Sequence, residues 1–252
     1  LSAYFKWWKA QRPFYEQGKK MWDWYSRALD FIHHRYRDEK ESSDLIDQVA
    51  AFIKSPAVEE NHRNGHFDFL IERTSDNTKA MALTDLMPDR VFGLRKKFEI
   101  TGHRLGKFQE SIVFLDEVIA SKHDNLVKWA KWEKANVYCD RLGKHAEAIK
   151  LYEDLNEPPR TLWEIQRAQR MGGKIDEAHA TLKTMGAMFP PEMPRAMYQR
   201  AEYHREDGQR EEAIGLYRQI LKAFPKAGEA SGAHQRLEDF GIETGGGVIH
   251  DP

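Results

Sequence analysis

The chain has 252 residues, of which 40% are apolar and 31% are charged, so its composition is that of a folded protein and not of a disordered segment. The 39 lysines and arginines balance the 40 acidic residues to a formal net charge of −1, without the basic excess that a dedicated nucleic-acid-binding domain usually has. Cys139 is the only cysteine, which excludes an internal disulfide framework and a cysteine-built zinc site.

Residues 1–42 form an aromatic-rich segment that we predict to be helical. Its first part, LSAYFKWWKAQRPFYEQGKKMWDWY, mixes Trp, Tyr and Phe with five cations: Lys6, Lys9, Arg12, Lys19 and Lys20. One interpretation is that the aromatic face packs on the rest of the protein. The other is a juxtamembrane segment, because aromatic and basic residues gather where a membrane helix meets water.

Two further features bear on the juxtamembrane interpretation. The chain starts at Leu1 instead of Met, which favours removal of a preceding segment, such as a transmembrane anchor. No run within the chain approaches the roughly 20 apolar residues of a membrane-spanning helix. If an anchor precedes the chain, the flanking cations favour the cytoplasmic side.

Residues 43–90 are predicted to form one or two divergent helical hairpins, with a turn around Gly65. The stretches TSDNT and MPDR are typical of capped helix starts or turns. Glu59, His62 and His66 are spaced like metal ligands on one helix face. Because Gly65 interrupts them and no second motif supplies another ligand, we predict solvated loop residues and no metal or cofactor.

A repeated pattern follows over residues 91–226. Four glycines are predicted to be turn residues: Gly106, Gly143, Gly173 and Gly208. Five residues after each glycine comes a small residue: Ser111, Ala148, Ala178 and Ala213. Nine residues after each comes a large one: Leu115, Tyr152, Leu182 and Tyr217. Twelve residues after each comes an apolar one: Val118, Leu155, Met185 and Ile220. The last three units end at a proline: Pro159, Pro190 and Pro225.

Each unit is therefore predicted to be a helix, a turn at glycine, a second helix and a stop. The small residue lets the two helices of a hairpin approach closely. The large residue fills the space between hairpins, and the proline ends the second helix because it cannot continue it. A single hairpin cannot cover its own apolar faces, so the units are expected to stack on a continuous core.

The pattern resembles the tetratricopeptide repeat family, whose unit is a helix-turn-helix of about 34 residues. The resemblance is strongest in PRAMYQRAEYHREDGQREEAIGLYRQILKAFP, residues 194–225, and Trp132 matches an aromatic that the family favours. It implies an all-α, right-handed superhelical array of antiparallel helix-turn-helix repeats. The small residue expected seven positions before the turn glycine is present only as Ala201; Glu99, Asn136 and Gln166 occupy the other three positions.

The array is predicted to end in a capping helix over residues 227–242. A mobile tail is expected over residues 243–252, because three consecutive glycines lose much conformational entropy on ordering.

The resemblance further implies that first helices line a concave groove. Carried over by position, the groove residues are Lys96, Glu133, Trp163, Arg167, Arg170, Tyr198, Glu202 and Arg205. Lys96 could be the lysine of the family's two-carboxylate clamp, but Ile100 stands where the clamp asparagine should be.

Arginine and aromatic side chains cluster in the C-terminal half of the array and are the usual residues that dominate binding. We predict that six of them merge into one basic, aromatic-lined partner site: Trp163, Arg167, Arg170, Arg195, Tyr198 and Arg205. The alternative is that Trp163 and Tyr198 simply pack between hairpins.

These features predict a non-catalytic scaffold that binds a protein or peptide partner, expected to be acidic or to carry a free carboxylate. The first alternative is a membrane-anchored assembly or quality-control subunit of a larger membrane complex. The second is an enzyme or an RNA-binding repeat array, which the balanced charge and the absence of a catalytic constellation disfavour. Cys139 is predicted to be a small buried residue and not a nucleophile.

Overall fold

The computed structural model describes residues 1–17, 20–36, 39–121 and 123–243, so the predicted tail lies outside the described residues after Glu243. The chain divides into two compact units, Leu1–Ala130 (unit 1) and Lys131–Pro252 (unit 2). Every regular element in the described ranges is helical. Among these residues, no helix combines the length and the apolar character needed to cross a membrane.

The first unit contains α1 Ser2–Ala10, α2 Arg12–Gln17, α3 Met21–Arg35, α4 Lys40–Lys54, α5 Glu60–Arg73, α6 Asn77–Thr84, α7 Arg90–Phe98, a π-helical turn Glu99–Arg104 and α8 Phe108–Ala120. Helix α9, Asp124–Asp140, contains the boundary between the units. The second unit continues with α10 His145–Leu155, α11 Arg160–Met171, α12 Ile175–Met188, a 3-10 turn Pro190–Glu192, α13 Met193–Glu206, α14 Arg210–Ala223 and α15 Gly228–Asp239. Because the boundary falls inside residues 91–226, one stack of four repeats stays a prediction.

The predicted helix starts at TSDNT and MPDR are confirmed. The Asp76 carboxylate accepts hydrogen bonds from the backbone N–H groups of Thr78 and Lys79 at the start of α6. Asp89 does the same for the N–H of Val91 at the start of α7. Each carboxylate thus satisfies donors that have no partner within the first turn of a helix.

The predicted turn around Gly65 is wrong. Helix α5 runs through Gly65 without interruption, and the turn between α4 and α5 lies at residues 55–59. The physical reason is Pro56, which cannot continue α4 and so ends it. A single glycine inside a helix costs only about 1 kcal/mol, which the packing of α5 offsets.

Aromatic residues form the N-terminal part of the core of unit 1. The rings of Trp8 on α1 and Trp24 on α3 stack at 3.8 Å between centroids. Each indole N–H also donates to the backbone carbonyl of the other tryptophan, at 2.8 and 2.9 Å. Phe5 and Tyr25 complete this buried cluster. Much of the aromatic segment therefore packs on the protein, as the first interpretation of residues 1–42 expects.

The predicted repeat pattern is confirmed at the level of single residues. All four turn glycines have positive φ, between 64° and 77°, a conformation that glycine adopts without strain. The four small residues that follow them have no exposed surface, and neither do the four large ones. Each hairpin therefore buries a small residue, which we call its closing residue, and a large residue at the predicted positions.

Polar residues replace the expected small residue in three of these hairpins, and two of them, Asn136 and Gln166, accept a hydrogen bond from a buried tyrosine. The Tyr152 hydroxyl donates to the Asn136 side-chain oxygen at 2.8 Å. The Tyr203 hydroxyl donates to the side-chain oxygen of Gln166, also at 2.8 Å. Because buried polar groups cost free energy only when unpaired, these bonds let the departures from the family pattern fit the core.

Helix α15 packs on α13 and α14 and buries Ala230, Ala233 and Leu237 in the last core cluster of unit 2. Like the first helices of the hairpins, α15 is followed by a turn glycine with positive φ. Gly241 has φ of 73°, and the N–H of Ile242 donates to the carbonyl of Leu237.

Substitution of a closing residue should destabilise unit 2. Ala213 has no exposed surface, so Ala213→Leu would force α13 and α14 apart and lower the free energy of unfolding by about 1–3 kcal/mol. Gln219→Leu, at an exposed position of the same helix, should stay within about 0.5 kcal/mol of the parent. Denaturant unfolding of both variants measures the difference; equal stability would contradict the packing described for this hairpin.

Candidate functional site

The six predicted partner-site residues lie in unit 2 on two first helices of hairpins, α11 and α13. Helix α9 precedes these two in the order of first helices, and α15 follows them. The six side chains form three separate groups of contacts, each of which joins neighbouring first helices.

Trp163 and Arg195 form the first group. The Arg195 guanidinium lies over the Trp163 ring, 4.1 Å from its centroid. The indole N–H of Trp163 donates to the Glu192 carboxylate at 3.0 Å, and Arg195 lies 3.9 Å from the same carboxylate. The Arg195 side chain is 61% exposed, so its guanidinium remains accessible above the ring.

The second group consists of the ion pairs of Arg167 and Arg170. Arg167 extends towards α9, whereas Arg170 extends towards α13. Arg167 binds Asp140 at the end of α9 and Glu164 on its own helix. These hydrogen bonds hold the pKa of Arg167 above its usual value, although burial acts in the opposite direction. The two arginines therefore do not present their charges together.

Arg170 binds the Asp207 carboxylate through two hydrogen bonds of 2.6 Å each. Its guanidinium also lies 4.7 Å from the centroid of the Tyr203 ring. The hydrogen bonds from Arg170 lower the pKa of Asp207. This bidentate pair connects the C-terminal end of α11 to that of α13.

Glu202 is the centre of the third group. It accepts hydrogen bonds from Arg205 at 2.8 Å, from Arg236 of α15 at 3.0 Å, and from the Tyr217 hydroxyl. Burial acts to raise the pKa of Glu202, but these hydrogen bonds outweigh it and the pKa lies below its usual value. Glu202 is therefore ionised at neutral pH and neutralises the arginines around it.

Tyr198 lies beside this third group. Its ring is 5.8 Å from that of Tyr217. A Cβ atom added to Gly232 of α15 would come within 2.9 Å of the Tyr198 hydroxyl oxygen, so the two helices meet closely there. Tyr198 thus takes part in packing between α13 and α15, which is the alternative that the sequence left open.

The expectation of a basic patch is wrong in one respect, its charge. Each of the four arginines of the predicted site lies within 4 Å of a carboxylate: Glu192, Asp140, Asp207 and Glu202. The reason is that helix periodicity predicts which arginines share a face of a helix, but it does not predict which carboxylates lie beside them in the folded chain. Whether the six residues bind a partner stays a prediction.

Lys96 has a structural position within unit 1. It is 8% exposed and contacts Asp68, Glu72 and Glu99. Its charge is therefore already compensated, which disfavours the clamp role that the resemblance suggested for it.

Cys139 is 1% exposed, as predicted for a small buried residue. Its Sγ lies 3.8 Å from Met171 Sδ and 3.8 Å from His145 Nδ1. Burial raises the pKa of the thiol to about 11, so it stays protonated at neutral pH. A protonated, buried thiol is a poor nucleophile.

Glu59 immediately precedes α5, and His62 and His66 lie within this helix and not in a loop, which corrects the predicted solvated loop. His66 stacks on Trp22 at 3.6 Å between centroids, and His62 lies 3.9 Å from Glu59. Within the described ranges, no set of three or more His, Cys, Asp or Glu side chains is arranged to hold a metal ion.

A histidine pair that sequence reasoning missed lies between α12 and α13. The rings of His179 and His204 stack at 4.1 Å between centroids. Neither ring nitrogen of His179 has a hydrogen-bond partner among the described residues. Burial, with His204 and Arg200 nearby, lowers the pKa of His179 to about 4.

The architecture of unit 2 defines the chain as an all-α helical-hairpin repeat protein. A sequence profile described as "Tetratricopeptide repeat" matches residues 195–227, which contain α13 from its third residue onwards, its turn glycine and α14. This segment is therefore similar to a tetratricopeptide repeat, in agreement with the resemblance seen in the sequence. Repeats of this type typically mediate protein–protein interaction and are generally non-catalytic.

Solved structures with a similar course of the chain are known. They include PilW, a type IV pilus biogenesis factor, with TM-score 0.46 and 15% identity over 82% of this chain and 97% of that one. A Podosopora anserina putative kinesin light chain with nearly identical TPR-like repeats has TM-score 0.46 and 20% identity, and the match covers 70% of this chain and 93% of that one. The C-terminal part of a TPR repeat-containing protein from Cytophaga hutchinsonii has TM-score 0.49 and 13% identity, and the match covers 85% of this chain and 82% of that one. No curated protein matches the chain in sequence.

The buried histidine should make stability depend on pH. The pKa of His179 is about 4 in the folded chain and about 6.5 when unfolded, so between these values the unfolded chain binds the proton more readily. Stability should therefore fall as the pH decreases from about 6.5, by up to about 1 kcal/mol per pH unit after allowance for partial exposure. His179→Phe should show a shallower slope than the parent in unfolding measured from pH 7 to pH 5, whereas His34→Phe, at an exposed site, should not. Identical slopes for the parent and His179→Phe would contradict this account.

Proposed function

We propose that this protein is a non-catalytic interaction module that binds a peptide or a segment of a partner protein on the first helices of unit 2. The stack of Arg195 on Trp163 is the observation that supports this proposal most. A half-buried indole fixed by one hydrogen bond and covered by an accessible guanidinium is a rigid contact element. Aromatic and arginine side chains of this kind contribute most of the binding free energy at protein interfaces.

The surrounding ion pairs support the proposal because they order the surface before a partner arrives. Arg167, Arg170 and Arg205 are held by carboxylates of the chain itself. Their side-chain entropy is therefore already lost in the free protein, which reduces the cost of ordering on binding. In this proposal, these three arginines and Tyr198 frame the site, while Trp163 and Arg195 make the central contacts.

The charge pattern also bears on the chemistry of the partner. Arg195 has its carboxylate neighbour at 3.9 Å, beyond direct hydrogen-bond distance, whereas the other three arginines have theirs at closer range. We therefore propose that a carboxylate of the partner, on a side chain or at a C-terminus, pairs with Arg195. An apolar or aromatic neighbour on the partner would pack beside the Trp163 ring.

A second candidate function is an assembly or quality-control subunit attached to a larger membrane complex through the N-terminal segment. The observation that favours it is the composition of residues 1–36. They contain seven lysines and arginines against three acidic residues, and four of the chain's seven tryptophans. Trp7 and Phe14 are also the most exposed large apolar side chains of unit 1, at 58% and 72%.

Photo-crosslinking in the producing cells separates the two functions. A benzoylphenylalanine residue would replace Gln199, one turn after Arg195 on α13, in one variant, Trp7 in a second, and Arg218, exposed on α14, in a third. The first function predicts a discrete protein adduct at position 199 and none at 218. The second predicts a protein adduct at position 7. Adducts at 218 equal to those at 199 would count against the site in unit 2.

The partner recovered at position 199 then allows a quantitative test. Trp163→Ala should weaken its binding by about 30-fold, which corresponds to the loss of one central contact of about 2 kcal/mol. Arg218→Ala is the matched control and should leave the affinity unchanged. Equal affinity of the parent and Trp163→Ala would show that the partner binds elsewhere.

A further inference from the structure

Four aromatic rings form a continuous row on the surface of unit 1, which we call the aromatic row: Trp7, Tyr4, Phe31 and Tyr36. The ring of Tyr4 on α1 stacks on Phe31 of α3 at 3.6 Å, and Trp7 lies 5.9 Å from Tyr4. Tyr36 lies 5.4 Å from Phe31 and extends the row past the end of α3. Trp7 is exposed and the other three rings are partly exposed, unlike the buried Trp8–Trp24 pair behind them.

Positive charges flank this row. Arg27, Phe31 and Arg35 follow one another at intervals of four residues, so they lie along one stripe of α3. Both arginines are exposed, and neither forms an ion pair with any residue in the described ranges. Lys6 and Lys9 of α1 are exposed on the other side of this helix, where they share a cavity with Glu41 and Asp44, so the charges beside the row are the two arginines.

Negative charge is scarce in the same segment. Residues 1–15 contain no acidic side chain, and residues 1–36 have an excess of four positive charges in a chain of net charge −1. Two of their three carboxylates are already paired: Glu16 with Arg12 and Asp30 with Arg73, each at 2.6 Å. The third, Asp23, is exposed one turn before Arg27 on the same stripe of α3, so the two arginines leave a net positive charge along this stripe.

We propose that the aromatic row is a docking surface for the headgroup region of an anionic phospholipid bilayer. Tryptophan and tyrosine rings favour the boundary between headgroups and acyl chains, and lysine and arginine side chains pair with the phosphates above it. In the docked state the Trp7 indole enters this boundary, while Arg27 and Arg35 contact anionic headgroups. Both helices stay folded on unit 1 and lie on the bilayer without crossing it.

This inference is independent of the partner site in unit 2, and either can fail alone. It specifies what the N-terminal segment of the second candidate function would contact. A protein surface is the rival occupant. The segregated charge favours lipid, because the positive excess and the interfacial aromatics coincide in one segment of an otherwise slightly acidic chain.

Sedimentation of the full chain with phospholipid vesicles tests the proposal. The parent should bind vesicles that contain phosphatidylserine and should bind phosphatidylcholine vesicles far more weakly, with affinity that falls as salt increases. Trp7→Ala should weaken binding by about tenfold. Phe14→Ala, which removes an even more exposed ring outside the row, should leave it unchanged.

A pair of charge reversals separates a docking surface from general attraction between charges. Arg27→Glu with Arg35→Glu should weaken binding by roughly 30-fold or more. Arg218→Glu with Lys222→Glu makes the same change in net charge on α14 and should have little effect. Circular dichroism melts of all variants confirm that the substitutions at these exposed positions leave the fold intact.

Three results would overturn the proposal. The first is a parent chain that does not bind phosphatidylserine vesicles. The second is an equal loss of binding in the two charge-reversed variants, which would indicate attraction without a defined surface. The third is tighter binding to single-stranded RNA than to vesicles, with the same dependence on Trp7, which would assign the row to nucleic acid.

Discussion

Unit 2 depends on contacts between successive first helices, and arginine–carboxylate pairs provide most of the polar ones. Asp140 of α9 binds Arg167 of α11, Arg170 of α11 binds Asp207 of α13, and Glu202 of α13 binds Arg236 of α15. The closing alanine allows close approach of the two helices within each hairpin, and these pairs connect one hairpin to the next. A partner that binds on the first helices would therefore meet a surface whose charges are already ordered and largely neutral.

Sequence periodicity predicted the hairpins because their chemistry is local. A turn glycine with positive φ, a small residue five positions later and a large residue nine positions later all act within one hairpin, so their spacing is visible in the chain. The same locality explains the correct helix starts at Asp76 and Asp89. The turn after α4 was predicted at Gly65 although Pro56, the stronger signal for the end of a helix, was present in the sequence.

The electrostatics of the candidate site could not be predicted in the same way. The partners of Trp163, Arg167 and Arg170 lie 29, 27 and 37 residues away along the chain. A helix-face argument places the three side chains on α11, but it cannot show which carboxylate of a neighbouring hairpin faces each of them. The stacked histidines His179 and His204 were missed for the same reason, since they meet only when α12 packs on α13.

The central claim is that arginine–carboxylate pairs connect neighbouring first helices of unit 2 and add to the stability that its apolar core provides. A double-mutant cycle of Arg170→Ala and Asp207→Ala, measured by denaturant unfolding, tests it most directly. These side chains are 18% and 28% exposed, and their pair is bidentate, so the account predicts a coupling free energy of about 1–2 kcal/mol. The control is an exposed ion pair between Lys174, which immediately precedes α12, and Glu177 in the first turn of that helix. Its coupling free energy should be about 0.5 kcal/mol or less. A coupling between Arg170 and Asp207 no larger than that of the control pair would contradict the account.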